Sequence, residues 1–199
     1  MKRFLILSLV ATLFVTHANA QGTHQGHEYV DLGLSVKWAT CNVGANSAEE
    51  YGDHYAWGET SIKSSYSEAN CATWEKSIDD IAGTDCDAAR VNWGGNWRMP
   101  TKAEFDELIS QCIWTWTTQN DISGYKVTSK INRNSIFLPA AGRTKSSITS
   151  ANGSIGYYWC SSPYQDNTQL SSFVLFTATY HQASAYKRFE GISVRPVLE

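Results

Sequence analysis

The chain has 199 residues, 42% hydrophobic and 13% aromatic, with 16 basic against 19 acidic side chains and a net charge of −3. Nucleic acid is excluded as the expected partner, because a phosphate backbone is bound through a basic surface that this balance does not supply. Five cysteines, an odd number, leave at least one unpaired within a monomer.

Residues 1–20 read as a cleavable signal peptide. Lys2 and Arg3 precede an apolar run from Phe4 to Val15 that is too short to span a bilayer, and Ala18-Asn19-Ala20 offers small residues for cleavage before Gln21. Without Lys2 and Arg3 the balance is 14 basic against 19 acidic residues, a net of −5. The mature protein is expected to be secreted or to stay in the periplasm or cell envelope, with no stable membrane insertion, and its cysteines reach a compartment where disulfides persist. Residues 21–27 are polar and read as a flexible lead-in in which His24 and His27 are solvated; residues 28–199 read as a single domain.

Alternation predicts short strands at Tyr29–Leu32 and Leu34–Ala39. From Asn42 to Ala72 the chain is turn-rich, yet Tyr51, Tyr55, Trp57 and Tyr66 make it a loop that packs down. Thr101 and Glu104 form a capping-box pair, and Phe105, Leu108, Ile109 and Cys112 follow at helical spacing, which predicts a helix from Lys102 to Cys112. Further strands are expected at Trp114–Thr118, Tyr125–Ser129, Ser135–Pro139, Tyr157–Ser161, Ser172–Thr177, Ala183–Arg188 and Ile192–Val197, with an exposed loop from Arg143 to Gly156. The class is α+β, many short antiparallel strands with one or two helices.

Cysteine spacing leaves connectivity open. Cys41 with Cys112 would tie the first strands to the helix, and Cys71 with Cys86 would close a short surface loop. Asp79, Asp80, Asp85 and Asp87 could collect a structural Ca²⁺ if their loop folded back, although they lack EF-hand spacing; no other cofactor is expected. No Gly-x-Ser-x-Gly elbow is present, and His54 has no distinguishing local motif.

Five ordered blocks, 29–45, 55–60, 92–101, 135–142 and 193–197, together resemble the FISUMP, or major paralogous, domain family of bacterial envelope and secreted proteins. Trp97-Arg98-Met99-Pro100-Thr101 with Glu104 and Phe105 is more distantly similar to a signature of the formylglycine-generating enzyme family. That likeness implies a C-type-lectin-like fold whose first and last strands pair, here Tyr29–Leu32 beside Ile192–Val197, with Arg98 and Glu104 bonding backbone and capping a helix. The enzymes hold copper on two cysteines near the end of the domain. Only Cys160 stands in that region, so the resemblance does not carry their activity across.

Related lectin-like proteins vary residues of the terminal region to change ligand, and here that region mixes aromatic with adaptable polar side chains. Tyr164, Gln165, Asp166, Gln169, Tyr180, His181, Gln182, Tyr186, Lys187 and Phe189 are therefore the expected binding residues for a glycan or a surface protein. An oxidative enzyme and a structural component of a surface assembly are the alternatives.

Overall fold

The computed structural model describes residues 21–199, and the expected leader lies outside them. A hairpin joins β1 (Gln21–His24) to β2 (His27–Val30); β3 (Lys37–Ala39) and β4 (His54–Tyr55) follow. Helix α1 (Ala88–Trp93), β5 (Trp97–Arg98) and helix α2 (Lys102–Gln111) come next. The second half is strand: β6 (Cys112–Gln119), β7 (Ile122–Ser129), β8 (Ser135–Pro139), β9 (Arg143–Lys145), β10 (Ile148–Ser150) and β11 (Gly156–Pro163). It ends with β12 (Leu170–Phe176), β13 (His181–Lys187), β14 (Ile192–Ser193) and β15 (Val197–Leu198). The architecture is mostly β with two short helices, consistent with the coarse α+β expectation.

The strands form a sheet β1-β2-β3-β15-β5, a second sheet β13-β12-β11-β14-β4, a three-stranded sheet β6-β7-β8 and the hairpin β9-β10. Pairing is antiparallel except between β11 and β14. Both ends of the described chain enter the first sheet, but the expected partners are not neighbours. β15 pairs with β3, Val197 opposite Trp38, and β3 separates it from β2. The predicted last strand is divided at Arg195-Pro196, where Pro196 has no N–H to extend a ladder. Arg195 turns inward and is fully buried. Its Nε donates to Asn42 Oδ1, Nη1 to the carbonyls of Ala39 and Thr40, and Nη2 to the carbonyl of Phe137.

The inner strands β11 and β12 of the second sheet are buried on both faces, which is why β11 reads Tyr157-Tyr158-Trp159-Cys160 without polar interruption. Tyr157, Trp159 and Phe173 point into one core with Tyr55, Trp57 and Trp97, whereas Tyr158, Cys160, Val174 and Phe176 point into the other with Trp38, Phe105 and Leu108. Trp57, Tyr55 and Tyr66 are buried as the aromatic density of the long loop requires. The expected helix stands over Lys102–Gln111: Thr101 Oγ1 accepts from the Glu104 amide at 3.2 Å, and Glu104 Oε2 accepts from the Thr101 amide at 2.7 Å. Arg98 clamps that carboxylate with Nη1 at 2.9 Å and Nη2 at 2.6 Å, a two-point pairing that fixes the entrance to α2.

Three expectations are corrected. Residues 21–27 are not a free lead-in, because His27 stacks on Trp93 at 3.8 Å and 3° while the carbonyl of His24 accepts from Trp97 Nε1 at 2.9 Å. The stretch Arg143–Gly156 is not irregular throughout, since β9 and β10 pair across a two-residue turn. All five cysteines are free thiols. Cys41 and Cys112 belong to different cores, and the Cys71 thiol lies 3.5 Å from Thr73 Oγ1, so neither Cys41–Cys112 nor Cys71–Cys86 is joined.

Candidate binding surface

Eight of the ten expected site residues divide between the two ends of the β12–β13 hairpin. Leu170 stands opposite Lys187 and Phe176 opposite His181, so the ends lie six residue steps, roughly 20 Å, apart. Tyr164, Gln165, Asp166, Gln169 and Lys187 gather at one end, and Tyr180, His181 and Gln182 at the other. Tyr186 and Phe189 join neither group. Tyr186 is five positions from His181 and therefore faces the opposite side of the sheet, where it packs on Phe173 at 4.9 Å and donates to Glu190 Oε2 at 2.9 Å. Phe189 is buried against Trp74. One continuous face through Tyr164, Tyr180 and Tyr186 does not exist.

At the far end the turn is closed by the Thr177 amide, which donates to the Tyr180 carbonyl at 2.9 Å. The turn presents Tyr180, 44% exposed, beside His181, whose imidazole lies flat on Trp114 at 4.6 Å and 8°. β6 supplies this aromatic neighbour and a second, Trp116, both half-buried. Tyr125 meets Trp114 edge-on at 5.4 Å and Trp116 at 5.2 Å, and Trp114 Nε1 donates to the Leu108 carbonyl at 3.2 Å. The shelf is thus held from beneath, with its rotamers fixed by packing. Burial lowers the His181 pKa, which keeps the ring neutral to more acidic pH than a free imidazole. Trp114 and Trp116 were not among the expected site residues, although their alternation with Thr115 and Thr117 is visible in the sequence.

At the near end Gln169 Nε2 donates to Glu75 Oε1 at 2.7 Å, and Lys187 lies 3.9 Å from Glu68 and over the Phe189 ring. Tyr164, 41% exposed, and Gln165 line a cavity of about 420 Å³ together with Asp79, Asp80, Ser162 and Arg188.

Two of the four aspartates considered for Ca²⁺ are placed for other work. Asp87 caps α1, accepting from the amides of Ala89 and Arg90 through Oδ1 and of Gly83 and Met99 through Oδ2. Asp80 accepts from Ser162 Oγ at 2.7 Å and from the Ala82 amide at 3.0 Å. Among the described residues no group of three or more His, Cys, Asp or Glu side chains is arranged to hold a metal ion. Cys160 is wholly interior, and burial raises its thiol well above the ordinary value. Comparison with protein-family models, with curated proteins and with solved structures finds no match to this chain.

Proposed function

We propose that the protein is an exported, non-catalytic binding module of the FISUMP family with a C-type-lectin-like architecture, and that it takes a glycan on the shelf of Trp114, Trp116, Tyr180 and His181. The carrying observation is the half-exposed indole pair braced by buried Tyr125 and Phe176, with exposed Tyr180 in the turn next to His181. A pyranose presents a flat C–H face and a rim of hydroxyls. Rigid aromatic side chains match the first at low entropic cost, and uncharged hydrogen-bonding groups such as the Tyr180 hydroxyl match the second.

The family reading is supported by what its residue blocks do in the fold: Arg98, Thr101 and Glu104 set α2, and Arg195 locks the loop after β3 to β8. The non-catalytic reading is supported by the sealed, unionised Cys160. Among the described residues no helix is long and apolar enough to cross a membrane.

A protein ligand is the second reading, favoured by one observation: β13 is an edge of its sheet, and its outer backbone groups are open to strand addition. A glycan array followed by titration decides. Trp116→Ala and Tyr180→Ala are each expected to weaken glycan binding by at least about 2 kcal/mol, roughly 30-fold, with unchanged circular dichroism. Undiminished binding by both variants rules out the shelf, and capture of protein baits without any glycan transfers the reading to the β13 edge.

A further inference from the structure

Two arginines are buried in this protein, and they differ in one respect. Arg195 uses all three guanidinium nitrogens as donors to described residues. Arg188, only 1% exposed, uses two. Its Nε donates to the Leu170 carbonyl at 3.0 Å and to Ser171 Oγ at 2.9 Å, and its Nη1 to the carbonyls of Thr73 at 3.3 Å and Lys76 at 2.7 Å. The guanidinium also stacks on the Trp57 ring at 4.3 Å. Among the described residues Nη2 has no acceptor, and no carboxylate lies within ion-pair distance of Arg188.

A buried cation is normally compensated, because removing it from water costs several kcal/mol unless its donors are met and its charge is balanced. Here three carbonyls and the Ser171 hydroxyl engage Nε and Nη1 and fix the fork in place, leaving Nη2. Arg188 is also part of the wall of the cavity of about 420 Å³ between the Ser77–Asp80 loop and the β11–β12 connection. Its volume is within the range of small-ligand sites. The rim carries the opposite sign. Asp79 and Asp80 are exposed there, Asp80 already bonded to Ser162 and Asp79 without a hydrogen-bond partner among the described residues.

We propose that this cavity is a binding site for a small zwitterion, an amino acid or short peptide whose carboxylate meets Arg188 Nη2 and whose ammonium meets Asp79. A simple anion satisfies the buried guanidinium but is repelled by two carboxylates at the entrance, and a simple cation leaves the guanidinium uncompensated. A molecule bearing both charges answers both ends of the cavity, and Arg188 is already oriented, so little is lost in ordering it. The site is separate from the aromatic shelf, at the opposite end of the β12–β13 hairpin, and does not depend on glycan binding there.

The test is calorimetric titration of the full mature chain with the dipeptide Ala-Ala, N-acetyl-Ala-Ala and alaninamide. Ala-Ala is expected to bind with a Kd of about 1 mM or tighter, and the two blocked compounds at least tenfold more weakly. Asp79→Asn, on an exposed side chain, is expected to bring Ala-Ala to the level of N-acetyl-Ala-Ala without changing the thermal midpoint. Arg188→Lys, which keeps the charge and loses the fork, is expected to abolish binding; if that variant does not fold, Asp79→Asn decides alone. Trp116→Ala is expected to leave Ala-Ala binding intact, which separates this site from the shelf. No saturable binding of Ala-Ala, equal binding of the blocked compounds, or an unaltered Asp79→Asn titration overturns the proposal.

Discussion

His54 shows how burial alone makes one residue a pH sensor of stability. It stands in β4, opposite Ser193 of β14, with Nδ1 2.8 Å from Thr144 Oγ1, and burial pushes its pKa down to about 4. Below 6.5 the unfolded chain takes up a proton that the folded chain refuses, so this residue's contribution is complete above pH 6.5 and is lost as pH falls toward 4. The slope is about 1.4 kcal/mol per pH unit while only the unfolded form is protonated. Glu104 adds an acid limb lower down. Burial raises its carboxyl, but the hydrogen bonds from Arg98 and Thr101 outweigh that and hold it below the usual carboxylate range. Denaturant midpoints measured through this window should fall with pH in the native sequence. His54→Asn should be less stable at neutral pH and show a flatter decline; an identical slope removes His54 as the sensor.

Elements were most legible where local chemistry and core pattern agree. The Thr101/Glu104 box and the apolar stripe after it locate α2 almost to the residue, and Ser135–Pro139 is a strand with the predicted limits. Composition misled where polar residues form tight hairpins. The polarity of His24-Gln25-Gly26-His27 suggests a flexible tail, but Gln25 and Gly26 have φ of 50° and 80°, the left-handed pair that joins twisted strands through a two-residue turn. Asn120 and Asp121, at 46° and 64°, do the same between β6 and β7, which moves the start of β7 ahead of Gly124 to Ile122. In both places the turn chemistry was in the sequence and outweighed polarity. Gly26→Val should therefore cost about 1–2 kcal/mol at the hairpin, by forcing a β-branched residue to positive φ. Amide exchange should show faster exchange in β1 and β2 and little change in β12. Uniform loss of protection would mean that the hairpin is not a separate unit.

At the scale of the molecule, the placement of the expected site residues is legible only in part, because a list of aromatic and polar residues does not say which face or which end of a strand each occupies. Composition singles out Tyr180 and His181, whereas Trp114 belongs to a strand 67 positions earlier and comes to His181 only through packing. Arg188 had no signal at all, since a cation between Lys187 and Phe189 reads as surface. The same long-range order distributes the thiols in a useful way. Cys41 lies in the core that contains Trp57 and Trp159, Cys112 and Cys160 lie in the core that contains Trp38 and Phe105, and Cys71 and Cys86 are half-buried. Burial raises the Cys41 thiol, pushes Cys112 up to about 11 and raises Cys160 further, so the thiolate that alkylates is scarce at all three. With a water-soluble alkylating reagent under native conditions, Cys71 and Cys86 should label first and the three buried thiols only through opening. β11 contributes alternate side chains to both cores and should couple them into one cooperative unit. Peptide-resolved mass spectrometry should then give Cys41, Cys112 and Cys160 the same opening free energy, equal to that of global unfolding. A Cys41 that opens at lower energy than Cys160 would show that the two cores do not unfold as one cooperative unit.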